Sequence, residues 1–181
     1  LLTILNPTKT EKDNSVMAVH KNSITEITRQ SIFDYIIDKT NDDLNAYVLG
    51  DSPPFQEPER VFYYYGRRND VQFLEKLYDL DASEDPRRET LRDEIYRHTV
   101  RNDDYPYGWV FEDERFGLKS GDDETFLKFL AMMFHPLIRS EKSDWQLVLT
   151  EINMLLNVDG YELFESEKIS GKSIFSYRYN I

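Results

Sequence analysis

Residues 143–179 read SDWQLVLTEINMLLNVDGYELFESEKISGKSIFSYRY, and the change of hydrophobic period inside this stretch decides the fold. From Ser143 onward, Trp145, Val148, Leu149, Ile152, Leu155 and Leu156 recur at helical spacing, which gives a helix one apolar face until it stops near Asn157 to Gly160. Two β-prone runs then flank Ser170-Gly171 and read as a hairpin. A helix followed by a hairpin has the layout of a winged-helix end, whose DNA-binding versions are basic. Here Asp144, Glu151, Asp159, Glu162, Glu165 and Glu167 make that end acidic, so it favours contact with protein over DNA.

Upstream, GDDETFLKFLAMMFHPLIRS is the most apolar helical pattern, with Asp122 or Asp123 as cap and Phe126, Leu127, Leu130, Met133, Phe134 and Leu137 covering most of its circumference. It belongs in the centre of the fold. A first helix is predicted from about Thr28 to Asp38 with Ile32, Phe33, Ile36 and Ile37 inward, followed by an irregular connection with a short element at Leu44 to Leu49. NDVQFLEKLYDLD (69–81) predicts a second helix. A third begins with Asp85 as N-cap and Pro86 at its first position, buries Leu91, Ile95 and either His98 or Thr99, and ends near Arg101. YPYGWVFEDERFGLKS reads as an ordered loop packed by Tyr107, Trp109, Phe111 and Phe116. The expected class is mainly α (α+β), a helical domain with a C-terminal helix plus β-hairpin.

The chain has 181 residues, 40% hydrophobic and 14% aromatic, enough apolar area for one folded domain. Residues 1–16 read as an extension or linker and 17–181 as the domain, with Met17 near its natural start. Acidic side chains outnumber basic ones 34 to 22, for a net charge of -12, which disfavours broad DNA or RNA binding. With no cysteine, disulfides, thiolate metal sites and a catalytic thiol are excluded. No membrane span or leader is evident, and a cytoplasmic location is expected.

Taken in order, SITEITRQSIFDYI, FLEKLYDLD, RHTVRNDDY, WVFEDERF, FLKFLAMMFHPLIRS, INMLLNVDGYEL and ISGKSIFSYR resemble the AbiJ-type N-terminal domain, a module of bacterial abortive-infection and related antiphage defence proteins. The similarity runs from about Ile24 to Tyr179; at Tyr105 the family pattern has tryptophan. The resemblance implies a sensing or regulatory role, at the front of larger proteins that carry an effector domain such as a HEPN-type ribonuclease. On this view the chain is either an excised module or a stand-alone member, and its partner is an effector domain or another protein.

RDEIYRHTVRNDDY (92–105) holds the histidine with the most polar surroundings. Arg92, Asp93 and His98 loosely resemble the HEPN signature of arginine, a polar residue and a later histidine. A metal-independent ribonuclease needs such a pair, a histidine to move the proton and an arginine to stabilise the phosphorane. This alternative makes His98 and Arg92 catalytic, with Arg97 as a substitute for Arg92, in a homodimer. The competing structural reading has His98 and Asn102 hydrogen-bonded to nearby backbone, pinning the aromatic loop.

Arg67, Arg68, Arg87, Arg88, Arg92, Arg97 and Arg101 form a candidate guanidinium cluster for a nucleotide or short RNA, with Asn102 beside it and tyrosines for base stacking. Neutralisation of these arginines by Asp and Glu neighbours is the plain alternative. His135 with Arg139 is an anion pocket or, more simply, a histidine capping a helix stopped by Pro136. His20 lies near the extension and carries no role. No carboxylate spacing points to a metal, and no cofactor is expected.

The leading expectation is a non-catalytic sensor or interaction module of an antiphage system.

Overall fold

Asp122 opens the most deeply buried of the described long helices by accepting the Thr125 backbone N–H at 2.8 Å, and from that cap the chain buries Phe126, Leu127, Phe129, Leu130, Ala131 and Met133. In the computed structural model, which describes residues 23–48, 90–102, 104, 105, 108–139, 141 and 143–180, this helix is the fourth. The elements are α1 (Glu26–Val48), α2 (Leu91–Tyr96) continued by a π-helical turn (Arg97–Arg101), α3 (Trp109–Glu112), a 3-10 turn (Glu114–Phe116), α4 (Asp123–Met133), α5 (Trp145–Asn157), β1 (Tyr161–Ile169) and β2 (Lys172–Tyr179). Helices and one antiparallel hairpin make an α+β fold, as the sequence predicts. No described helix is long and apolar enough to cross a membrane.

α1 packs against α5, and α4 packs against the hairpin. Phe33 of α1 stacks on Phe111 at 4.2 Å and meets Phe126 of α4 edge-on at 5.7 Å, so the aromatic segment joins the two helices. Asn153 of α5 docks the hairpin: its side chain accepts the Leu163 N–H at 2.7 Å and donates to the Leu163 carbonyl at 2.9 Å. Ser170 and Gly171, with φ of 52° and 77°, form the two-residue hairpin turn that requires positive φ at both positions.

Several expectations need correction. α1 does not stop at Asp38 but runs to Val48 through Asn41, Asp42 and Asp43, since these residues only lower helix propensity and no Gly or Pro interrupts the chain there. The described part of the third predicted helix is Leu91–Tyr96, with Thr90 as its N-cap: Thr90 and Asp93 form a reciprocal capping box, and Thr90 itself is extended. The aromatic stretch is more regular than a loop, because Trp109, Val110 and Phe111 bury themselves together as α3. Leu137 is 58% exposed rather than on the buried face, since the helix ends at Met133 ahead of Pro136. Asp144 rather than Ser143 is the residue at the α5 N-cap. The helix predicted over 69–81, the start at Asp85-Pro86 and Tyr107 lie outside the described residues.

The centre also holds a cation. Arg29 is 4% exposed, and its guanidinium donates to the carbonyls of Leu118 at 2.7 Å and Gly121 at 3.0 Å and to Asp123 at 2.8 Å, over the Phe126 ring. Asp123 also accepts the Ile24 N–H at 3.0 Å, so one carboxylate fixes both the start of α1 and its arginine. Gly121 permits this packing, because a Cβ there would stand 2.2 Å from the Gly117 carbonyl oxygen.

Arg29→Met is expected to cost about 3 kcal/mol, the size typical of stripping one partner from a buried ion pair. The check is a lower urea midpoint at unchanged slope. Ser170→Asn should raise stability by about 0.5 kcal/mol in the same assay, because asparagine tolerates the left-handed conformation better.

Candidate functional site

The candidate site grows out of the end of α2, where the backbone widens. The Asn102 N–H reaches back to the Arg97 carbonyl at 2.8 Å, a five-residue step that makes the Arg97–Arg101 turn π-helical, a local geometry frequent at functional sites. The chain then doubles back over His98. The His98 carbonyl accepts the N–H groups of Asp104 at 3.0 Å and Tyr105 at 3.4 Å, its Nδ1 lies 2.6 Å from Asp104 Oδ1, and its ring stacks on Tyr105 at 4.2 Å.

An ionised carboxylate only accepts, so Nδ1 carries the hydrogen and, in the neutral ring, Nε2 bears the lone pair. The bond to His98 holds the Asp104 carboxyl below the usual carboxylate range.

Behind this pair lies a second polar group. Tyr105 donates its hydroxyl to Glu94 at 2.8 Å, Arg115 bonds Glu94 through both terminal nitrogens at 2.9 and 2.7 Å, and Asp113 accepts from Arg115 at 2.6 Å. Burial by itself raises the Glu94 carboxyl, but the bonds from Arg115 and Tyr105 outweigh it and leave the group below its ordinary range. Burial, and then the bond to Glu94, push the Tyr105 phenol up to about 12. The carboxylates of Glu94 and Asp113 hold the Arg115 proton more firmly than in water. Tyr105 also packs on Trp109 at 4.7 Å, which couples the polar group to the aromatic core.

Of the sequence candidates, the structure brings His98, Arg97, Arg101 and Asn102 together on one turn, with Arg101 and Asn102 exposed and Arg97 and His98 half-buried. Arg92 belongs to α2, but its side chain lies outside the described residues, as do Arg67, Arg68, Arg87 and Arg88. His98 pins the aromatic segment through Asp104 and Tyr105, and the Asn102 side chain bonds the same Asp104 carboxylate. His135 accepts the Leu137 N–H at 3.2 Å, and Arg139, 4% exposed, donates to the Phe134 and Ser173 carbonyls with its guanidinium 4.0 Å from the Trp145 ring centre, which is the role of a structural clamp. Among the described residues no group of three or more His, Asp or Glu could hold a metal ion.

Sequence reasoning missed Glu94, Asp113 and Arg115. The available signal was position, because Glu94 lies on the buried side between Leu91 and Ile95 and needs a cation there. The acidic residues of the C-terminal end are partly consumed in structure: Asp144 pairs with Lys39 at 2.7 Å, Asp159 accepts the Thr25 N–H at 2.8 Å, and Glu162 pairs with Arg178.

The described helices, closed by a C-terminal helix and hairpin, carry a histidine-bearing π-turn at the end of α2. The chain belongs to the AbiJ N-terminal domain 3 family, whose model matches residues 23–177. Membership connects it to abortive-infection defence. No curated protein and no solved structure matches it.

The lowered Glu94 and raised Tyr105 act at opposite ends of the pH scale. Glu94 contributes stability that is present above the ordinary glutamate range, about 4.3, and is lost as pH falls through its lower folded value. Glu94→Gln should therefore flatten the acid limb of the stability curve. Tyr105 contributes stability that is complete below about 10 and is lost as pH rises through its folded value of about 12. A phenolate absorbance titration of wild type minus Tyr105→Phe should show the extra proton leaving near the higher value.

Proposed function

We propose that this domain is a non-catalytic sensor or interaction module of an antiphage abortive-infection system, and that RHTVRNDDY is its ligand-holding segment. The carrying observation is how His98 is used: its carbonyl takes two backbone N–H groups, its Nδ1 takes Asp104 and its ring face takes Tyr105. A residue so engaged orders the segment that presents Arg97, Arg101 and Asn102. The ligand is a protein partner or a nucleotide-like molecule, with Arg87, Arg88 and Arg92 extending the grip on its phosphates.

One observation favours a second reading. Asp104 on Nδ1 leaves Nε2 as the basic nitrogen, the arrangement of a histidine oriented for proton transfer. In that reading His98 with Arg92 or Arg97 cleaves RNA without metal, as a homodimer.

The purified chain is incubated with mixed cellular RNA, with and without a divalent cation, beside His98→Ala and Arg92→Ala. The expected outcome is no cleavage by any of the three. Metal-independent cleavage by wild type that both variants lose, with circular dichroism unchanged, would establish the ribonuclease. Charge reversal at Arg87, Arg88 and Arg92 is expected to weaken retention of a fluorescent adenine nucleotide at least tenfold; equal retention would leave protein as the partner.

A further inference from the structure

The hairpin is a two-stranded sheet, so each strand has an outer edge, and the fold treats the two edges differently. On β1 the outward N–H and C=O of Leu163 are both taken by Asn153. Leu163 thus spends neither group on β2, and its partner Tyr177 sits opposite it in a pair without mutual hydrogen bonds. The N–H and C=O of Tyr177 consequently point away from β1, and by the two-residue alternation so do those of Phe175 and Ser173. Arg139 confirms that parity, since it occupies the Ser173 carbonyl from outside at 3.0 Å. Among the described residues no hydrogen bond reaches the outward groups of Phe175 and Tyr177.

Beside this stretch of edge runs a groove of about 510 Å³, floored by Ala131 and Met132 of α4 and bounded by Lys128 and, just past the helix, His135. Its other wall is β2 from Ile174 to Tyr177. A strand edge beside a helix stripe, with mostly apolar surface between them, is a geometry in which an extended peptide adds to a sheet: the backbone supplies hydrogen bonds and alternate side chains enter the groove.

Charge selects the occupant. β2 reads KSIFSYRY and holds Lys172 and Arg178 with no acidic residue, while Lys128 lies on the groove's helical wall. Antiparallel pairing with a second copy about Phe175 would set Lys172 beside Arg178, a like-charge opposition. The cations do have partners, Glu141, Glu162 and Glu124, but all three pairs are surface pairs of small worth that a ligand carboxylate can replace.

We infer that the β2 edge and the α4 groove form a docking site for an extended segment of a partner protein, apolar at alternate positions and acidic at both ends. The site is remote in sequence from the π-turn. It deepens the interaction-module reading and rests on that reading for a protein partner. The two fail separately, since RNA cleavage would remove the module reading and leave peptide docking measurable.

The test is amide hydrogen exchange on the whole chain with the synthetic peptide acetyl-Asp-Val-Thr-Val-Thr-Val-Asp-amide and a counterpart in which both Asp are Lys. In the free protein, the Phe175 and Tyr177 amides should exchange much faster than that of Ser176, which bonds to β1; equal protection would mean the edge is already covered and would overturn the proposal. The acidic peptide should slow Phe175 and Tyr177 at least tenfold and the basic one should not. Lys128→Glu, an exposed substitution that leaves the core untouched, should abolish the effect. No slowing, slowing by both peptides alike, or slowing that survives Lys128→Glu would overturn it. Protection that grows with protein concentration in the absence of peptide would assign the edge to a second copy instead.

Discussion

One buried guanidinium holds the domain's centre together. Arg29 sits on the apolar stripe of α1 with Ile32, Phe33 and Ile36, and a charge there is tolerable only because every direction it faces supplies an oxygen or a ring. Those oxygens come from the turn after Phe116 and from the first residue of α4. The close approach of Gly117 and Gly121, the placement of Asp123 and the start of α1 all answer to that one requirement. Arg139 repeats the device at the far end of α4, where carbonyls from the helix end and from β2 receive it between Trp145 and Phe175.

The flank of the domain is built on a different principle. Around Glu94, two hydrogen-bond donors of different acidity, a guanidinium and a phenol, share one buried carboxylate. This fixes the position of Tyr105, and Tyr105 in turn supplies the surface on which His98 lies. The charged groups nearest the aromatic core are therefore spent on shape, whereas Arg101 and Asn102 face solvent.

The helix-to-hairpin switch, the α4 core and the cap at Asp122 were legible in the sequence because each rests on local period or local chemistry: alternation, helical spacing, a carboxylate three residues before a backbone N–H. Family motifs added the domain's identity. The length of α1 was not legible, since Asn41 to Asp43 look like breakers although their cost is small beside ten further backbone hydrogen-bonding positions. Nor was the role of Asp123, which reads as a second cap but serves a residue 94 positions away. The His98 pairing was half visible: the residues were singled out, but the partner could not be chosen without knowing that the helix widens before it ends. Long-range polar pairing leaves no period in the chain, and this is why Glu94, Arg115 and Asn153 went unnoticed while the apolar stripes did not.

Between Arg97 and Asn102 the backbone takes one residue more per hydrogen-bonded step than an α-helix does. Rewinding that step to the α form would advance everything after it by one position, a rotation of about 100° about the helix axis. Asp104 would leave the imidazole, Tyr105 would lose both His98 and Trp109, and Glu94 would be left with Arg115 alone. The register of that one π-turn therefore sets the contacts of His98, Asp104, Tyr105 and Glu94 together.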